Sequence, residues 1–174
     1  MNKNGFTLIE LVVVIVILGI LSVTAAPRFL NFSKDAHIAA VSGTGAAFRS
    51  AIGLAYAKAL VSNGGGPIDD LQMYGSGASG QIDINLWGYP AQQYNTEAES
   101  SPRLNNVDDC LSVWRALYAN APSISESSSK NDSLYQAIYN DPDQCTYKYN
   151  PLPTLNIDYD SRNGSVVIDR DTSS

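Results

Sequence analysis

A run of apolar residues starts at Phe6 and ends at Ala26, broken only by Thr7, Glu10, Gly19, Ser22 and Thr24. Twenty-one residues suffice for one helical crossing of a bilayer about 30 Å thick. Val and Ile fill the stretch from Val12 to Ile17 and would suit a strand in water. In lipid every backbone group must be bonded within the segment, so a helix wins. Glu10 sits near the start of this run, where burying a carboxylate is costly unless it has a partner. A cleaved signal peptide is one alternative: Lys3 supplies a positive start and Val23-Thr24-Ala25 a small-residue cut site. The internal Glu and the helical pattern beyond the cut both argue against it. A plain single-span anchor explains neither Gly5-Phe6 nor Glu10. Snorkelling of Glu10 toward headgroups is the simplest structural account of that residue.

Pro27 follows the run and should kink a helix rather than end it. Beyond it Ile38, Val41, Gly45, Phe48, Ile52, Ala55 and Ala59 recur at alternating steps of three and four, the seam of an amphipathic helix. The breaker cluster Asn63-Gly64-Gly65-Gly66-Pro67 should stop it. A continuous helix from Phe6 to Ser62 would be about 85 Å long. Its C-terminal part should bury Phe48 and Ile52 against a globular head; a free coiled coil is the alternative, weakened by the small residues on the seam.

The head, residues 64–174, has the size of one small domain. Its start, Gly64 to Gly80, reads as a Gly-rich loop. Alternation of Ile82, Ile84 and Leu86 suggests a strand over Gln81 to Trp87. Val107, Cys110, Leu111, Trp114, Leu117 and Tyr118 form a helical stripe that Asn106 or Asp108 can cap. Ser123 to Ser133 is polar and expected at the surface. A short helix is expected at Leu134 to Tyr139. Cys145 to Tyr149, Leu155 to Tyr159 and Ser165 to Asp169 read as strands, the last two joined by Ser161-Arg162-Asn163-Gly164, a strong hairpin signal. The expected fold class is α+β, with an antiparallel sheet of about four strands on the long helix. Cys110 and Cys145 are the only cysteines. Both lie on the side of the apolar segment that leaves the cytoplasm, where disulfides persist; a bridge and two buried thiols both fit.

Charge is unevenly divided. Up to Leu60 there are five bases and two acids; after it, six bases and fifteen acids. Such an acidic head will not bind nucleic acid by counterion release. It either solubilises the head or steers it toward the basic helix of another copy. No chemistry-bearing motif is present. His37 is the single histidine, and no zinc, phosphate-loop or nucleophile-elbow pattern occurs. Asp158 to Gly164 matches a calcium loop only loosely, with Arg162 at a ligand position and no closing Glu. No catalytic residue, metal or cofactor is expected. Ten Tyr and two Trp form a core or, less simply, an adhesive surface.

Gly5-Phe6-Thr7-Leu8-Ile9-Glu10 with the apolar run behind it resembles the N-terminus of type IV pilin precursors. The resemblance extends to about Ala59. It implies a leader at 1–5, a transmembrane and polymerisation helix at 6–26, its amphipathic extension at 27–63 and a head at 64–174. It implies cleavage between Gly5 and Phe6 by a prepilin peptidase that also methylates Phe6. Glu10 would pair with the Phe6 amine of a neighbouring subunit, and the helix would loosen between Gly19 and Pro27 on assembly. It also implies a Cys110–Cys145 disulfide, which would stabilise the head by about 4 kcal/mol on the chain-entropy account. Partners would be other pilin subunits and an inner-membrane assembly platform. The protein would lie first in the inner membrane and then in an extracellular pilus. Thr24-Ala25-Ala26-Pro27-Arg28-Phe29-Leu30 and Gly88-Tyr89-Pro90 look like pilins of the mannose-sensitive haemagglutinin system, serving attachment. The rival family is the pseudopilins of type II secretion, which share the N-terminal motif but often lack a disulfide.

Overall fold

The computed structural model describes residues 5–94, 100–126 and 133–171, with the backbone alone at residues 26–31 and Ser79. Met1 to Asn4 of the expected leader, the Pro27 side chain and much of the polar segment after Ser123 lie outside that description. Helix α1 spans Leu8–Asn63, and its helical assignment passes through Gly19 and Pro27. Two compact units divide the chain, one up to His37 and one from Ile38.

In the first unit the hydroxyls within the apolar run are turned back on the helix. Ser22 Oγ donates to the Leu18 carbonyl at 2.7 Å and Thr24 Oγ1 to the Leu21 carbonyl at 2.9 Å. Neither needs water, so both tolerate an apolar medium.

The second unit begins with the amphipathic part of α1. Val41, Gly45, Phe48, Ile52, Ala55 and Ala59 are all buried, on one face. Gly64 and Gly65 then take left-handed φ of 63° and 83°, and their amides donate to the Leu60 and Ala59 carbonyls. The last turn is thereby closed where the glycine cluster was expected to close it.

Among the described residues eight strands follow, in two sheets. The smaller has the order β1-β2-β3, with β1 at Ile68–Gln72, β2 at Gln81–Ile84 and β3 at Pro90–Gln92. The larger has the order β4-β5-β6-β7-β8, with β4 at Ile124–Ser125, β5 at Tyr135–Asn140, β6 at Gln144–Tyr149, β7 at Asn156–Asp160 and β8 at Ser165–Asp169. All pairings are antiparallel except β4 with β5. Helix α2, Val107–Leu117, is capped by Asn106 rather than Asp108. Asn106 Oδ1 accepts from the Asp109 amide while the Asp109 carboxylate accepts from the Asn106 amide.

Four expectations need correction. Leu134 to Tyr139 is not a helix: Tyr135 and Ala137 are buried while Leu134 is exposed, a period of two, and pairing with β6 decides the conformation. The expected loop from Gly64 to Gly80 contains β1 and a 3₁₀ turn at Ala78–Gly80. The strand from Gln81 stops at Ile84, because the buried Asn85 side chain accepts the amides of Trp87 and Tyr89 and turns the chain. Among the described residues the larger sheet has five strands, and a second sheet of three accompanies it.

The core lies between α1, α2 and the inner face of the large sheet. The Phe48 ring lies 5.3 to 6.0 Å from the rings of Trp114, Tyr118, Tyr147 and Tyr159. Buried phenols are anchored: Tyr147 donates to the Cys110 carbonyl at 3.0 Å and Tyr159 to the Pro90 carbonyl at 2.7 Å. At Gly45 the helix meets β8, where an added Cβ would lie 2.6 Å from Ile168 Cγ1. Gly45→Val should therefore cost about 1–3 kcal/mol through overpacking. Gly43 has nothing within 4 Å of a built Cβ, so Gly43→Ala should raise subunit stability by up to about 1 kcal/mol. Thermal melts of the two variants in detergent check both signs.

Candidate assembly site

The motif residues that open the chain become one small site. Gly5 and Phe6 precede the first turn of α1 and are exposed, with Phe6 at 89%. Thr7 and Glu10 then hold each other. The Thr7 amide and its hydroxyl both donate to Glu10 Oε2 at 2.8 Å, and the Glu10 amide donates to Thr7 Oγ1 at 3.4 Å. This is a capping box, Thr-x-x-Glu, with Thr7 as N-cap and Glu10 three positions into the helix. The signal stands in the sequence, but Glu10 read there only as a charge in need of a partner. Its carboxylate also counters the positive end of the helix dipole. Phe6, Ile9, Glu10, Val13 and Val14 line one open hollow of about 380 Å³, so Phe6 and Glu10 share a surface.

Behind this motif every large apolar side chain from Leu8 to Val23 is exposed. A helix apolar on all sides is buried in lipid or in other chains. Gly19 lies on this segment with nothing within 4 Å of a built Cβ, so packing inside the subunit does not require a glycine there.

The second sequence-derived pair is also brought together. Cys110 on α2 and Cys145 on β6 form a disulfide with an S–S distance of 2.00 Å and a Cα–Cα distance of 5.7 Å, across 35 positions of chain. Both are fully buried. The bridge ties α2 to the large sheet behind the Trp114 cluster. The Asp158 to Gly164 segment is a hairpin connection: Asp160 accepts from the Arg162 amide and guanidinium, and Gly164 has φ 69° with Tyr89 packed against it. The guanidinium holds the Asp160 carboxyl below its ordinary range.

Residues 1–26 match the prokaryotic N-terminal methylation motif. The chain is 44% identical over 87 residues to the type IV narrow pilus major component PilA5 of Thermus thermophilus, an alignment that spans 50% of this chain and 71% of that protein. No solved structure is a significant match. A long apolar N-terminal helix, an antiparallel α+β head and this similarity define the class: the chain belongs to the type IV pilins.

Proposed function

We propose that this protein is a structural subunit of a type IV pilus, made as a membrane-anchored precursor and polymerised through its N-terminal helix. The observation that carries this reading is that every large apolar side chain from Leu8 to Val23 is exposed, on the segment that follows Gly5-Phe6 and carries Glu10. Hydrolysis of the Gly5–Phe6 peptide bond by a prepilin peptidase leaves an α-amine on Phe6, which the enzyme then methylates. That amine supplies a full opposite charge to Glu10, to which, among the described residues, Thr7 donates. A buried carboxylate beside a cation recovers part of its desolvation cost. Pairing between neighbours fixes axial register, and the Leu8 to Ala26 segments pack laterally. The helix loosens between Gly19 and Pro27 as subunits leave the inner membrane through an assembly platform. Other pilins are its partners and the extracellular pilus is its destination. Within the family, Thr24 to Leu30 and Gly88-Tyr89-Pro90 favour the mannose-sensitive haemagglutinin type and a role in surface attachment.

An intact mass of the protein sheared from cell surfaces, taken without reductant, tests this. The expected mass begins at methylated Phe6 and lacks two hydrogens at Cys110 and Cys145. A chain beginning near Ala26 would overturn the filament reading. A processed form confined to membranes would favour a pseudopilin.

A further inference from the structure

Two sheets in one head have four outer strands, and an outer strand invites another chain to add to its edge. Among the described residues those strands are β1 and β3 of the small sheet and β4 and β8 of the large one. β3 and β4 have three and two residues and offer little to pair with. β1 is interrupted by the register shift between Ile68 and Leu71, which disturbs its edge. β8 has neither defence. Its five residues, Ser165-Val166-Val167-Ile168-Asp169, pair with β7 in unbroken register. It contains no Pro, and the Val167 side chain is 56% exposed.

Helix α1 reaches both of the longer edges. From Ile38 to Asn63 its charged side chains are Arg49 and Lys58. The Lys58 ammonium donates to the Gln72 carbonyl of β1, and the Arg49 guanidinium donates to the Val166 carbonyl of β8 at 2.6 Å. Along an antiparallel strand, residues turn their backbone groups alternately toward the partner and away from it. Val166 turns its carbonyl to the helix, so Val166 and Ile168 face away from β7. These outward groups are self-complementary. With β8 of a second copy laid antiparallel and Val167 opposite Val167, each Val166 lies opposite the other copy's Ile168, amide matching carbonyl. The two Val167 side chains then meet as a β-branched cross-strand pair. Such a pairing needs the Val166 carbonyl that Arg49 holds.

We infer that Arg49 guards the β8 edge and keeps the heads of two copies from joining strand to strand. The contact is self-inhibitory: the same carbonyl serves the helix of its own subunit or the β8 strand of another. An Arg suits this task because its guanidinium stays charged and offers several donors in a fixed plane, so the guard does not lapse with pH. Lys58 repeats the arrangement at β1, where the register shift already interrupts pairing. The inference concerns the head alone and holds whether or not the chain polymerises through its first helix.

Disulfide trapping on the full chain in detergent micelles tests the guard. Val167→Cys places a thiol where it meets its own copy across the two-fold axis, with opposite Cα atoms about 4.5 Å apart. Under mild oxidation with Arg49 in place, linked dimers should form slowly. Adding Arg49→Met should raise the rate about tenfold, the release of one hydrogen bond to a charged donor. Ser165→Cys is the control for register. In the same pairing each Ser165 lies opposite Asp169, about 13 Å from its own copy, so Arg49→Met should not speed its dimers. Cys110 and Cys145 are fully buried and already joined, so they stay out of the exchange. Equal Val167→Cys rates with and without Arg49→Met would overturn the guard. An equal gain at Ser165→Cys would mean general aggregation and would overturn it too. Near-ultraviolet circular dichroism reports the fold of each variant. Arg49→Gln, with the same expected rise, decides the matter should Arg49→Met fail to fold.

Discussion

Glu10→Ala should leave the head folded and nearly abolish filaments. The Phe6 amine of each neighbour would be left in an apolar interface without its counter-charge. Breaking a buried pair in this way costs about 3–5 kcal/mol, more than a hundredfold in each subunit contact. The capping box allows the register role to be separated from a merely local one. Thr7→Val removes the hydroxyl bonds to Glu10 but leaves its charge, and should cost only about 1 kcal/mol of helix-end stability while filaments persist. The measurement is the ratio of sheared to membrane-held protein for both variants, with near-ultraviolet circular dichroism reporting the head. A normal ratio for Glu10→Ala would remove Glu10 from assembly.

Phe48→Ala should be the most damaging single change in the head. Phe48 is fully buried and meets four aromatic rings from α2, its C-terminal end and the large sheet. Truncating a buried Phe costs about 3–5 kcal/mol, with the cavity adding to the lost transfer energy. For a chain of this size the melting midpoint should fall by roughly 10 °C. The disulfide should still form in the variant, because Cys110 and Cys145 are held by α2 and β6. A shift under about 2 °C would mean that α1 does not depend on this ring cluster for its seat.

The parts of this architecture that were legible in the sequence are those where a local pattern and the tertiary contact agree. Val41 to Ala59 keeps a helical period because one face of α1 meets a single core. Asn106 and Asp109 write a cap directly ahead of an apolar stripe. Cys145-x-Tyr147-x-Tyr149 alternates because β6 has one buried face. Of the small sheet β2 was legible, but β1 and β3 escaped because they are short and the contacts that fix the sheet are polar and distant. Asn85 Nδ2 donates to the Ser161 carbonyl 76 positions away, and Asp83 holds amides from two other segments. No periodicity announces such bonds. β5 escaped for another reason: Leu134, Tyr135, Ala137 and Ile138 fit either period, and only pairing with β6 chooses. At the assembly site the residues were legible singly, and the bonds between Thr7 and Glu10 were not.

The close approach of α1 to β8 has a consequence for the order of biogenesis. Arg49 donates to the Val166 carbonyl at 2.6 Å across 117 positions of sequence, and Gly45 is seated on Ile168. Synthesis runs from the N-terminus, so the seam of α1 emerges long before the strand that covers it. Until β8 has emerged, Gly45 and Arg49 lack the strand they meet in the folded head. Contacts this distant in sequence form late, and exposed apolar surface invites aggregation in the meantime. On the proposed function, an anchored helix would hold each nascent subunit apart from its neighbours during that interval, and the segment proposed to drive polymerisation would first act as a safeguard against premature association.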